Sequence, residues 1–221
     1  MNARNLLVVL PMALVLVGGA AALSLRPASK IEPASSDLEK LGIDPAEFGR
    51  VHHDVTAQME LETKAQTNRL APAFDRKDSY GHEVRVGALD RPQFVLFIKK
   101  GCPCSFDAQP LMNKLARKFK DKVEFVGVID KEGQDFATQL QVAFPVIEEP
   151  SKGLMRAYDA RASVYSALVA RNGHIVKMWP GYSARWLKEM NDLMAKASAT
   201  KPTPFDPEYA PKEKASGCPF S

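Results

Sequence analysis

The segment that most constrains this chain is a short apolar run that ends on a cysteine. Residues 93–98 read Gln-Phe-Val-Leu-Phe-Ile after a proline, and Lys99, Lys100 and Gly101-Cys102-Pro103-Cys104-Ser105 follow directly. A continuous apolar run of this length suits a strand covered on both faces, so layers must lie above and below it. Beyond the cysteines, Ala108, Leu111, Met112, Leu115, Ala116 and Phe119 recur three and four apart, while Lys114, Arg117, Lys118 and Lys120 fall on the other side. That spacing is an amphipathic helix. Residues 123–129 form a second buried strand, and residues 135–142 and 152–158 suit helices. Residues 165–170 and 174–179 flank Asn172-Gly173, a strong hairpin signal. Ser183 caps a last helix carrying Trp186, Leu187, Met190, Leu193 and Met194. Upstream, Asp78-Ser79-Tyr80-Gly81 marks a turn and Glu83-Val84-Arg85-Val86 alternates like a hairpin strand. The order predicts an α/β domain with a right-handed parallel crossover and antiparallel strands added to the same sheet.

The flanks have a different texture. Residues 6–25 carry no charge and are dominated by Leu, Val, Ala and Gly. That is about the 20 residues of a transmembrane helix. Arg4 and the free amine before it favour a cytoplasmic N-terminus. Gly18-Gly19-Ala20-Ala21-Ala22 equally supplies small residues for signal cleavage. On either reading the remainder is exported, with the domain on the periplasmic or extracellular side, tethered to the membrane or released. Residues 26–36 read as a linker and the stretch to residue 68 as a helical stalk, in which Asp54 caps a helix carrying Val55 and Met59. Residues 198–221, with five prolines, read as an extended tail without regular structure. A chain of 221 residues holds one such domain, here residues 69–197, plus these appendages. The net charge of +4 is spread without a basic block, so no nucleic-acid partner is indicated.

The chemistry centres on three cysteines, at 102, 104 and 218. They are too few and too unevenly placed for a disulfide framework. Pro103 suits the first helical position, which makes Cys102 the N-cap. Free N–H groups of the first turn, the helix dipole, Lys99 and Lys100 should all favour the thiolate at Cys102. About 20 residues separate Cys218 from the last helix. Fully extended they span about 65 Å, so Cys218 can reach Cys102 in its own chain or in a second copy.

Several pieces, taken in order, carry a family likeness. They are Leu70-Ala71-Pro72-Ala73-Phe74, the 78–84 turn, the strand and Cys102-Pro103, Phe144-Pro145-Val146 leading to Ala157-Tyr158, and Ala167-Leu168-Val169 leading to Gly173-His174-Ile175-Val176. Residues 69–197 resemble the redoxin branch of the thioredoxin superfamily, which includes peroxiredoxins and membrane-tethered thiol–disulfide oxidoreductases. The resemblance implies a thioredoxin-like fold. Family dithiol members carry Cys-x-x-Cys and a proline eight residues after the first cysteine. Pro110 fixes that register and puts Ser105 where the second cysteine would stand. Peroxiredoxins carry Thr or Ser where this chain has Lys99, and only Arg161 is a candidate for their activating arginine. The cis-proline of thioredoxins is matched by Val164.

The reading that follows is a thiol–disulfide oxidoreductase using the Cys102 thiolate, with Cys104 or Cys218 as resolving thiol and protein thiols or disulfides as partners. No cofactor is called for. The alternatives are a thiol peroxidase, a Cu(I) carrier at Cys102-Pro103-Cys104, and a redoxin-shaped binding module without turnover. Copper-assembly proteins of this fold place a histidine in the loop matching residues 160–166, which has none here; His174 falls after the turn, and His52 and His53 in the weakly patterned N-terminal stretch.

Overall fold

Alternation along the apolar strand decides which layer each side chain enters. The computed structural model describes residues 53–220. Its elements are β1 (His53–Asp54), α1 (Ala57–Ala65), β2 (Phe74–Lys77), β3 (Glu83–Val86), β4 (Gln93–Ile98), α2 (Pro103–Lys118), β5 (Glu124–Ile129) and α3 (Gly133–Gln139). They continue with β6 (Val146–Glu148), α4 (Gly153–Ala157), β7 (Ser166–Val169), β8 (Ile175–Trp179), α5 (Ala184–Ala197) and β9 (Ala215–Ser216). Every residue of β4 is buried. Phe94, Leu96 and Ile98 enter one core with Leu111 and Leu115 of α2 and Leu187 and Met190 of α5. Val95 and Phe97 enter the opposite core with Met155 and Tyr158.

The central sheet has the order β6-β5-β4-β7-β8. β4, β5 and β6 run parallel, while β7 and β8 are added antiparallel. β2 and β3 form a separate hairpin. The expected architecture is therefore present, a mixed sheet between helices of the thioredoxin-like kind. The β7–β8 turn shows how Asn172-Gly173 is used. Ala170 N–H bonds the His174 carbonyl and Gly173 N–H bonds the Ala170 carbonyl, at 2.8 and 2.9 Å. Gly173 takes φ +80°, so the loop has three residues with glycine at the left-handed position.

Two differences lie in the flanks. Thr56, not Asp54, caps α1: its hydroxyl accepts from Met59 N–H at 3.2 Å. Asp54 is unavailable because its backbone is paired in β1 with Ala215. The tail also has regular structure at its end, since β9 pairs with β1. The apolar stretch at residues 6–25 and the linker at 26–36 lie outside the described residues. No helix among the described residues is long and apolar enough to cross a membrane.

The tail is fastened along α2 and α5 before it reaches β9. Lys118 Nζ donates to the carbonyls of Thr203 and Pro204, both at 2.8 Å. Lys114 Nζ donates to the Asp206 carbonyl and pairs with Glu208. Both ammoniums lie over the ring of Phe205, which is buried. Cation–π contact and ring burial thus act on one residue. Tyr209 hydroxyl then donates to the Asp107 carbonyl at 3.0 Å. Removing the Phe205 ring should cost about 3–5 kcal/mol, the range for large-to-small changes at a buried aromatic. The Phe205→Ala variant should lose that stability in urea denaturation and expose the tail to proteolysis first.

Candidate functional site

Cys102 sits at the end of β4, where the chain turns into α2. Its backbone is extended, at φ −85° and ψ 118°, and Pro103 occupies the first helical position. The Cys102 carbonyl accepts from Ser105 N–H at 3.0 Å and from Phe106 N–H at 3.3 Å, which starts the helix. Ser105 holds the strand–helix turn closed, its hydroxyl accepting from Lys99 N–H at 3.3 Å. The expected N-cap is therefore present, and Ser105 serves as a structural clasp at the position family members give to a second cysteine.

The donors to the sulfur differ from expectation. Its side chain takes no capping bond from the helix. Lys99 Nζ instead donates to the Pro219 carbonyl at 2.6 Å, and Lys100 pairs with Glu132. The sulfur accepts from Ser163 Oγ–H at 2.9 Å and from Cys218 N–H at 3.1 Å. The thiols of Cys104 and Cys218 also donate to it. These two thiols, in that order, are the strongest influences holding the Cys102 thiol far below its ordinary range, with Ser163 and the Cys218 amide adding to them against the cost of burial. The same bonds push the other two thiols up. Cys104 is raised by its bond to Cys102 and by burial, against a backbone hydrogen bond from His53. Cys218 is raised by its bond to Cys102 and by burial, against the nearby Lys99 charge. One thiolate is shared among three sulfurs, and Cys102 holds it. None of the three is joined in a disulfide.

The tail reaches this site as a strand. It first meets the Tyr182 backbone, where Tyr182 and Ala215 exchange both N–H···O bonds at 2.8 and 2.9 Å. It then runs antiparallel to residues 161–163. Gly217 N–H bonds the Ser163 carbonyl, Ser163 N–H bonds the Cys218 carbonyl, and Phe220 N–H bonds the Arg161 carbonyl, at 3.1, 3.0 and 2.8 Å. A Cβ on Gly217 would lie 1.8 Å from Ser163 Oγ and 3.0 Å from Cys102 Sγ, so only glycine fits. Cys102 is left 2% exposed.

Val164 occupies the loop position matched to the cis-proline, and its peptide bonds are trans. Its φ of +62° is left-handed, an uncommon state for a β-branched residue that costs about 1–3 kcal/mol. Val164 N–H bonds the Phe97 carbonyl at 2.8 Å, and Phe97 N–H bonds the Tyr165 carbonyl. The strand thus holds the loop in a form that turns Ser163 toward the sulfur. Arg161 is committed to Asp159 and Glu62, at 3.2 and 3.1 Å. His174 lies in the β7–β8 turn with its N–H on Asn172. His52 lies outside the described residues. Among those residues no group of three or more His, Cys, Asp and Glu is placed to hold a metal ion.

The structure brings Cys102, Cys104 and Cys218 together. Ser163, Gly217 and the amide of Cys218 complete the site, and sequence reasoning did not find them in that role. Ser163 had no signal beyond its place in the loop opposite the cysteine. Gly217 had one, its position directly before Cys218.

Residues 67–198 match the AhpC/TSA family. No curated protein matches the chain significantly. Among solved structures, an uncharacterized conserved protein from Geobacillus kaustophilus superposes with a TM-score of 0.55 and 21% identity, covering 69% of this chain and 90% of that one. A thiol:disulfide interchange protein of the thioredoxin family from Chlorobium tepidum TLS gives 0.51 and 17%, covering 59% and 97%. MTB dsbF gives 0.50 and 17%, covering 59% and 99%.

A depressed Cys102 thiol predicts a distinctive pH profile. Free cysteine, with a pKa of about 8.5, loses about tenfold in alkylation rate for each pH unit below that value. The iodoacetamide rate at Cys102, followed by peptide mass analysis, should stay level from about pH 8 to about pH 6. Ser163→Ala removes a donor to the thiolate, so the pKa must rise, by about one unit for a bond to a charged group, and the rate should begin to fall at higher pH than in the parent chain.

Proposed function

The chain belongs to the AhpC/TSA family, and on that premise we propose that it is an exported thiol–disulfide oxidoreductase acting through the Cys102 thiolate. The observation that carries this reading is the convergence of two further thiols and two other donors on one buried sulfur. Such a site stabilises a thiolate and keeps a resolving thiol beside it.

In the first step the Cys102 thiolate attacks one sulfur of a partner disulfide. The partner S–S bond breaks, a Cys102–partner mixed disulfide forms, and the other partner sulfur departs as thiolate. In the second step Cys218 gives up its proton to that sulfur and attacks Cys102 Sγ. The mixed disulfide breaks, a Cys102–Cys218 disulfide forms, and the second partner sulfur leaves as a thiolate that takes a proton from water. The partner gains two electrons and the chain loses two. Cys218 suits this role better than Cys104. Cys104 is 1% exposed and two residues from Cys102, whereas Cys218 is half-buried on a tail segment held by backbone bonds. Exchange with an external thiol at Cys218 would then return the chain to its reduced form.

The peroxidase reading has less support. Lys99 stands where a peroxide-binding hydroxyl would be, and the Arg161 guanidinium is engaged away from Cys102. Domain limits at residues 69 and 197, a tether through residues 6–25, and a site facing the periplasm or exterior complete the proposal.

Cysteine variants test the assignment. Cys102→Ser should abolish reduction of peptide disulfides. Cys218→Ser should accumulate the mixed disulfide through Cys102, visible on non-reducing gels, while Cys104→Ser should still turn over. Persistent turnover in Cys102→Ser would sink the reading, and a trapped adduct in Cys104→Ser alone would reassign the resolving thiol.

A further inference from the structure

The edge of the loop 161–163 is a place where an extended chain can add as a strand. Its backbone groups alternate correctly for pairing, it ends at the reacting sulfur, and Lys99 supplies an ammonium to the incoming carbonyl. The chain's own tail fills it with Gly217-Cys218-Pro219-Phe220, and the bound segment puts Cys218 against Cys102. A partner disulfide cannot reach a sulfur that is 2% exposed while this segment is in place.

We propose that the tail is the resident occupant of this edge, and that the protein substrate that displaces it is an extended segment carrying glycine immediately before its reacting cysteine. This rests on the oxidoreductase reading and adds the substrate class to it. The glycine requirement comes from the geometry of the bound tail. Any side chain at that position meets Ser163 Oγ at 1.8 Å and Cys102 Sγ at 3.0 Å, and Ser163 cannot turn away without giving up its bond to the sulfur. Backbone pairing supplies affinity without regard to sequence, and the tight position supplies selection. The tail and the substrate take turns. The substrate displaces residues 216–220 and forms the mixed disulfide, and the returning tail expels the substrate backbone as Cys218 reaches Cys102.

The full chain carrying Cys218→Ser tests this with two hexapeptides, ASGCPF and ASACPF, each activated on its cysteine as a mixed disulfide with thionitrobenzoate. Cys102 attacks the peptide sulfur and thionitrobenzoate leaves, which is read by its absorbance. The glycine peptide should react about tenfold or more faster than the alanine peptide, the scale expected for a steric clash of one methyl group against fixed atoms. Adding Gly217→Ala to the chain should unseat the tail and raise the rate with ASGCPF by about tenfold. Equal rates for the two peptides overturn the selection. Equal rates with and without Gly217→Ala overturn the occupancy. If mild oxidation of the parent chain yields chiefly Cys102–Cys218 dimers, the occupant is a second copy's tail and the proposal fails. If neither peptide reacts faster than with free cysteine in any variant, the oxidoreductase reading itself falls.

Discussion

A negative sulfur inside a protein survives only where hydrogen-bond donors replace the water it has lost. That constraint governs the site. Cys102 is nearly sealed, and an isolated thiolate there would be costly. Four donors meet it from three parts of the chain: Ser163 from the loop before β7, Cys104 from the first turn of α2, and the thiol and amide of Cys218 from the tail. The charge and the docked tail are therefore mutually dependent. Unseating the tail removes two donors at once, and protonating the sulfur weakens what holds the tail end in place.

The rest of the fold fixes these donors in register. β4 is gripped on one side by β5 and on the other by β7, so the sulfur at its end has little freedom. The loop leading into β7 is pinned to β4 through Phe97, which holds Val164 in an unfavourable backbone state. That local strain is offset by the pairing on either side of it. Its effect is to present the backbone of residues 161–163 as an open edge beside Cys102.

Much of this could be read from the chain alone. The strand at 93–98, the N-cap role of Cys102 and the cap at Ser183 follow from local rules of burial period and helix ends, and each stands in the structure. The donors to the sulfur were misassigned, because Lys99 and Lys100 are near in sequence while Ser163 and Cys218 are near only in space. Lys114 and Lys118 were taken for solvent-facing charges on an amphipathic helix. Their stems do lie on the outer face, but the tail covers that face, and helical periodicity cannot show that a later segment will return to it. Proline content marked the tail as irregular, which is true of its hydrogen bonding up to residue 214 and says nothing of where it rests.

The tail is held unevenly. Residues 203–209 are anchored by a buried ring, two ammoniums and a tyrosine, whereas residues 216–220 are held mainly by single backbone bonds. When the outer part lifts, the anchored part keeps Cys218 on a leash of roughly ten residues. A thiol on so short a flexible tether samples its target at an effective concentration in the millimolar range. The return of Cys218 to Cys102 is then set by the leash and not by how much protein is present. Small external thiols below that concentration lose the race for the mixed disulfide.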